Sequence, residues 1–189
     1  MGDIYPLIVM SVREPRKGVR YVLDAPLGES GRRQLFLLAT ILPALLISLG
    51  LIIAPADPEM VFFPSSPFLL AGVQAFALLV LSGLVYFVGR ARGGRGSFSE
   101  CLAAAAWLQV VMSFLQAGLL LLELALPSVA AVVAVAVIIF FMWMLIGFIA
   151  EVHSFTSLPK VLGAVVLTLI GVWLFLTLIS TLLVGLLYV

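Results

Sequence analysis

Hydrophobic residues along this chain are gathered into five long runs, which are separated by short stretches rich in proline, glycine and charge. A bilayer core about 30 Å thick requires about 20 apolar residues in an α-helix. Each run has that length, and none alternates apolar and polar residues as the strands of a barrel would. The pattern therefore predicts five transmembrane helices, at residues 35–54, 68–88, 101–122, 129–150 and 161–188.

Composition supports the same interpretation. The chain of 189 residues is 64% apolar and 10% charged, with a mean hydropathy of +1.30, whereas soluble domains are about half apolar and about a quarter charged. We therefore predict an all-α integral membrane bundle in which residues 34–189 form the only domain. Residues 1–33 mix short apolar and basic clusters, which predicts a segment at the surface of the cytoplasmic leaflet. A disordered tail is the alternative for that segment.

The ten lysines and arginines divide cleanly between the loops. Six precede the first span, three lie between the second and third spans, and one lies between the fourth and fifth. Five spans put all ten on one side, while the opposite loops carry only acidic charges, at Asp57, Glu59 and Glu123. The positive-inside rule then predicts a cytoplasmic N-terminus and an external C-terminus. Arginine outnumbers lysine eight to two, which favours the cytoplasmic (inner) membrane of a bacterium as the location.

Part of this basic set is predicted to contact lipid phosphates or a partner protein, because it lies next to the membrane surface. These residues are Arg16, Lys17, Arg20, Arg90, Arg92 and Arg95.

The stretch "GRARGGRGSFSE", residues 89–100, resembles a phosphate-binding loop only at first sight. A Walker loop needs a Gly-Lys-Ser/Thr sequence after a strand, whereas this stretch has no lysine and follows a membrane helix. We interpret it as the turn between two spans. Gly89 is predicted to stop the second span, and Ser97 and Glu100 are predicted to form a capping box that starts the third.

Three segments resemble the bacterial branch of the Yip (Ypt-interacting protein) family. They are "REPRKGVRYVL", "GGRGSFSECLAAAAW" and "MWMLIGFIAEVHSFTSLPKVL". The resemblance implies five spans, a cytoplasmic N-terminus and no catalytic residue. Eukaryotic members bind prenylated small GTPases, but this chain lacks their Asp-Leu-x-Gly-Pro signature. We therefore do not carry GTPase binding over.

Polar residues recur on one face of the third span. Gln109, Gln116 and Glu123 are seven residues apart, and Ser113 lies beside them. Seven residues fall only about 20° short of two helical turns, so the four residues form a polar stripe. The stripe predicts either cross-helix hydrogen bonds, which we favour, or a pathway for protons or a small solute.

Two further groups of residues complete the candidates. Thr177, Thr181 and Gly185 repeat a small residue every fourth position, which is typical of a helix-packing face. Glu151 and His153 supply two potential ligands, too few for a catalytic zinc site. We interpret His153 as an interfacial polar residue at the end of the fourth span, and the single cysteine, Cys101, as a small apolar filler.

The features together favour a non-enzymatic membrane scaffold or accessory subunit that binds and stabilises other membrane components. We expect membrane lipids and other membrane proteins, or a larger membrane complex, as partners. We expect no nucleic acid, no cofactor, no metal and no catalytic residue. The alternative is a small channel or carrier that uses the polar stripe.

The charge distribution predicts the topology directly. Alkaline phosphatase fused after Val189 should be active, because the C-terminus is predicted to be external. The same enzyme fused after Arg95 should be inactive, and the phosphatase activity of the two fusions checks this. The reverse pattern would mean that the predicted topology is wrong.

Overall fold

The computed structural model describes residues 4–53 and 66–187, and describes side chains of the second range only as far as residue 182. All regular structure in these residues is helical, in two short and five long helices. The helices are α1 (Ile4–Arg13), α2 (Pro15–Asp24), α3 (Gly28–Ile53), α4 (Pro67–Ala91), α5 (Phe98–Ala125), α6 (Pro127–Val152) and α7 (Leu158–Leu187).

The five long helices confirm the predicted all-α bundle of five membrane spans, since each is long and apolar enough to cross a bilayer. Their ends differ from the apolar runs. Helix α3 begins at Gly28 and carries the polar sequence "GESGRRQ" before its apolar run. This difference arises because hydropathy marks the part of a helix that lies in lipid, while the backbone hydrogen bonds continue beyond it. The predicted Pro-rich turn after the first span falls mostly on residues 54–65, outside the described residues.

Helix α5 is the central helix of the bundle, because it packs against α3, α4, α6, α2 and α1. Its first half carries the sequence "AAAAW", in which Ala104, Ala105, Ala106 and Trp107 are buried. Small side chains let neighbouring helix backbones approach closely in a membrane, where dispersion contacts rather than water exclusion drive packing. The alanine run therefore explains why α5 occupies the middle of the bundle.

Burial is concentrated at one end of the molecule, where α4 and α6 finish and α5 and α7 begin. We call this the basic end, because it carries Arg90, Arg92, Arg95 and Lys160. Buried residues of α5 lie between positions 101 and 113, and those of α6 lie mainly between 144 and 152. At the opposite end, residues 121–129 are mostly exposed. Among the described residues, the bundle is thus more tightly packed at the basic end than at the other.

The N-terminal helices α1 and α2 dock on the basic end. The indole Nε1 of Trp107 donates a hydrogen bond to the hydroxyl of Ser11 at 2.9 Å, and that hydroxyl donates to the Leu7 carbonyl. Gly18 of α2 faces Ser11 so closely that an added Cβ would lie less than 3.0 Å from it. Residues 4–24 therefore form two helices that pack against the bundle. Their division from the membrane domain at residue 33 and their location on the cytoplasmic leaflet stay predictions.

Candidate functional site

Helix α4 ends at the basic end in a Schellman turn. The amide of Gly94 donates to the Gly89 carbonyl at 2.8 Å, and the amide of Gly93 donates to the Arg90 carbonyl at 3.0 Å. Gly93 has φ +83, a left-handed conformation that glycine adopts without steric cost. The prediction that Gly89 stops this helix is therefore wrong. The helix continues to Ala91, and Gly93 is the residue that ends it.

Helix α6 ends beside it in a turn of the same kind. The amide of Phe155 donates to the Ala150 carbonyl at 2.7 Å, and the amide of Ser154 donates to the Glu151 carbonyl at 3.1 Å. Ser154 takes the left-handed position with φ 57, where a glycine is the usual residue. The capping residue of this turn is His153.

The His153 ring lies between the two helix ends and is 2% exposed. Its Nδ1 accepts a hydrogen bond from the Gly96 amide at 3.3 Å, and this assigns the ring proton to Nε2. Nε2 then donates to the Val85 carbonyl of α4 at 3.0 Å. The Phe155 ring stacks on the imidazole, with centroids 5.5 Å apart. His153 is therefore a buried link between α4, the loop after it and α6. It lies at the C-terminal cap of α6, in agreement with the interpretation that it ends the fourth span, but its ring is buried within the protein.

Three glycines surround this ring, and we call them the glycine cradle: Gly89, Gly94 and Gly96. A Cβ built on Gly89 or on Gly94 would lie less than 3.0 Å from ring atoms of His153. A Cβ on Gly96 would lie less than 3.0 Å from Val152, which directly precedes His153 in the chain. Most glycines of the loop are thus explained by the space that the imidazole occupies, and Gly93 by the turn.

The predicted capping box at the start of α5 is confirmed. The Ser97 hydroxyl accepts from the Glu100 amide at 3.3 Å, while a Glu100 carboxylate oxygen accepts from the Ser97 amide at 2.7 Å. This box orders the last residues of the loop, directly after Gly96. It therefore helps to hold the Gly96 amide where it donates to His153.

Cys101 is the other reactive side chain near the imidazole. Its Sγ lies 3.7 Å from Nε2 of His153, and the thiol is buried. A base that activates a thiol needs a free lone pair directed at it. Here Nε2 carries the proton and Nδ1 already accepts from Gly96. In this geometry neither ring nitrogen can act as a base for the thiol, and Cys101 packs as a small apolar side chain.

Burial lowers the pKa of His153 below its ordinary value, because the imidazolium would be desolvated. The hydrogen bond to the Val85 carbonyl opposes this shift, the charge of Arg90 adds to it, and that of Glu100 opposes it. The imidazole is thus held neutral, in agreement with its role as acceptor at Nδ1 and donor at Nε2.

A carboxylate and two guanidinium groups attach α2 to α6 at the same end. Arg16 Nε lies 2.8 Å from Glu151 Oε2, and Arg20 Nη2 lies 2.5 Å from Glu151 Oε1. The Glu151 side chain is 13% exposed, whereas those of Arg16 and Arg20 are 43% and 50% exposed, so solvent screens the ion pair in part. Glu151 and His153 thus both serve the docking of helices. Among the described residues, no cluster of three or more potential metal ligands occurs.

The six basic residues that are predicted to contact lipid or a partner fall into two groups in the structure. Arg16 and Arg20 pair with Glu151, and Lys17 pairs with Glu14 of its own N-terminal segment. The other three lie exposed after or at the end of α4: Arg90, Arg92 and Arg95. None of these residues is tested for binding by the structure, so lipid and partner contact stay predictions for all six.

The four residues of the polar stripe on α5 differ in burial. Ser113 is buried, and its hydroxyl donates to the Gln109 carbonyl of the same helix at 2.9 Å. Gln109 and Gln116 are half-buried, and Glu123 is exposed. Whether the stripe serves packing or transport stays a hypothesis.

The predicted small-residue face lies on the surface of α7. Thr177 and Thr181 are exposed, and their hydroxyls donate to carbonyls of their own helix at 2.9 and 2.8 Å. The side-chain surroundings of Gly185 lie outside the described part of the chain. The face is thus placed where another molecule could contact it, and its use stays a prediction.

Sequence reasoning missed the meeting of His153 with the glycine cradle. The signal was present as a single histidine in the chain and as four glycines within residues 89–96, more than one turn needs. A glycine that the backbone does not need often marks the close approach of another group. Without contacts between distant segments, however, the sequence could not show which group approaches.

Substitution of Gly89 tests the glycine cradle. Gly89→Ala should lower the free energy of unfolding by about 1–3 kcal/mol, because the new methyl group overlaps the imidazole. Gly83→Ala is the matched control on the same helix, since a Cβ there meets nothing within 4 Å. The control should be neutral or stabilising by up to about 1 kcal/mol. Thermal unfolding in detergent measures both, and equal effects would contradict the cradle.

The lowered pKa of His153 predicts a loss of stability in acid. The unfolded chain takes up a proton near pH 6.5, while the folded chain resists protonation. Stability from this residue is therefore present above about pH 6.5 and declines as the pH falls below it. His153 is the only histidine, so the His153→Gln variant should show a flatter dependence of Tm on pH between about pH 7.5 and about pH 5.5. Parallel curves for the two proteins would exclude this origin.

Comparison with known proteins gives one clear match. A family model described as the Yip1 domain matches residues 10–188, which include all five long helices and the docked α2. Comparison with curated proteins and with solved structures gave no match. Because the family match covers nearly the whole chain, this protein belongs to the Yip family of multi-pass membrane proteins.

Proposed function

We propose that this Yip-family protein is a non-enzymatic scaffold or accessory subunit that binds and stabilises other membrane components. We place it in the cytoplasmic membrane of a bacterium, with the basic end facing the cytoplasm. The expected partners are membrane lipids and other membrane proteins. GTPase binding is not part of the proposal, because the signature of the GTPase-binding members is missing from the sequence.

The observation that carries the proposal is the packing of α7. Its buried side chains are Val161 and Val165 near its start, and every other described side chain of the helix is exposed or half-buried. A long helix whose described side chains are buried only near its start leaves most of that length for contacts outside the chain. In lipid such contacts form where small residues let two backbones approach, and Thr177 and Thr181 supply that feature.

The basic end supports a scaffold in a second way. The His153 link and the Glu151 ion pair fix α2, α4 and α6 relative to one another. A binding surface on rigid elements loses little conformational entropy when a partner arrives. The exposed Arg90, Arg92 and Arg95 are displayed on such a rigid frame, next to the predicted membrane surface.

A channel or carrier that uses the stripe of α5 is the alternative. A transport pathway needs polar groups that are free to exchange hydrogen bonds with a passing solute. The Ser113 hydroxyl is instead engaged by its own helix. The stripe therefore lends the alternative less support than α7 lends the scaffold.

A pair of double variants tests the partner contact of α7. Thr177→Leu/Thr181→Leu should reduce recovery of the partner protein at least about tenfold, since bulky side chains keep a second helix away. Thr177→Val/Thr181→Val is the matched control, because it keeps the small size and removes only hydroxyls that bond to their own helix. Recovery is measured by pull-down from native membranes and quantitative mass spectrometry. The proposal fails if both variants recover the same proteins as the wild type in the same amounts.

A further inference from the structure

A groove with a cavity of about 380 Å³ lies between α4, α6 and α7. Its walls are mostly aliphatic side chains of the three helices. At the basic end its mouth is formed by Arg92, Lys160, Thr156 and Ser157. The groove is therefore amphipathic along its length, with hydroxyl groups and two cations at one end and hydrocarbon at the other.

The groove has the depth of one lipid leaflet. On α7 its lining begins at Lys160 and ends at Leu169. Nine residues of helix rise about 14 Å, and half of a hydrocarbon core about 30 Å thick is about 15 Å. If Lys160 lies at the membrane surface, as the predicted spans require, the two cations lie at the depth of the lipid phosphates and Leu169 lies near the depth where the acyl chains of that leaflet end.

The charges at the mouth select an anionic ligand. Arg92 and Lys160 are exposed, and none of the residues that line the groove is acidic. Within the described ranges, neither cation has a carboxylate within salt-bridge distance. A phosphate between them would gain charge-assisted hydrogen bonds, with the hydroxyls of Thr156 and Ser157 as further donors.

We propose that this groove binds an anionic glycerophospholipid, with one acyl chain between α4 and α7 and the phosphate held by Arg92 and Lys160. The bound lipid fills the gap beside α7 that side chains of this protein leave open. The proposal deepens the accessory function by naming its lipid, and it rests on that function only for its biological purpose. Lipid affinity and recovery of a partner protein are separate measurements, so either proposal can fail alone.

The headgroup contact is tested with the purified full-length protein in detergent. Phosphatidylglycerol is titrated against phosphatidylcholine with the same acyl chains, and native mass spectrometry counts the bound lipid. Wild-type protein should prefer phosphatidylglycerol. The Arg92→Gln/Lys160→Gln variant should bind it at least about tenfold more weakly, since each cation near a lipid phosphate contributes about a factor of five.

The matched control removes the same charge from the same end. Arg13 and Arg33 are exposed, do not line the groove and are not among the six predicted lipid or partner contacts, so Arg13→Gln/Arg33→Gln should keep the wild-type affinity. An equal loss in both double variants would show a diffuse surface attraction and overturn the site. Lack of preference for phosphatidylglycerol in the wild type would overturn it as well.

The acyl-chain contact is tested by filling the groove. Ala164 lines its wall, and Ala164→Phe should abolish binding of phosphatidylglycerol while the unfolding temperature stays near that of the wild type. Thr168→Phe is the second variant if the first does not fold. Undiminished lipid binding in a folded variant would overturn the proposal. If inorganic phosphate at equal concentration displaced the lipid, the proposal would also be overturned, because the cations alone would then hold the ligand.

Discussion

The arrangement of this bundle depends on the burial of one neutral imidazole between two helix ends. His153 joins three chain segments through two hydrogen bonds to backbone atoms, and a buried backbone group that lost its partner would cost about 1–3 kcal/mol. The ring needs space that only residues without a Cβ can leave, at Gly89 and Gly94. It must also stay uncharged, which its burial ensures. The space around the His153 ring, its two hydrogen bonds and its neutral state therefore depend on one another.

This link accounts for the uneven packing of the molecule. In lipid, apolar side chains gain little by leaving the solvent for each other, so helix contacts need close fit or hydrogen bonds. The basic end has both, in the buried imidazole, the Trp107–Ser11 hydrogen bond and the ion pair of Glu151 with Arg16 and Arg20. Among the described residues of the opposite end there is no comparable set of contacts, and residues 121–129 are mostly exposed. In the described part of the chain, the helices are thus joined more closely at the basic end than at the other.

The sequence was sufficient to predict the five-helix bundle, but it was not sufficient to predict the contacts of His153 and Glu151 at the basic end. Apolar length alone predicts the five spans, because the bilayer imposes one thickness on every helix. The capping box of Ser97 and Glu100 was also predictable, since it involves residues three positions apart. The role of Gly89 was mistaken, because the group that requires it lies 64 positions later along the chain, at His153. The pairing of Arg16 with Glu151 escaped notice for the same reason, at a separation of 135 residues.

The position where α7 starts follows from the same contacts of His153 at the end of α6. The turn at Ser154 sends the chain away from α6, and Phe155 both stacks on the imidazole and lines the groove beside α7. Helix α7 therefore starts at this packed end, and among its described side chains only Val161 and Val165 are buried against the bundle. Most of its described length is thus left for contacts with lipid or with another protein. Packing at the basic end and exposure along α7 are then two consequences of one arrangement, which is the arrangement that the proposed accessory function requires.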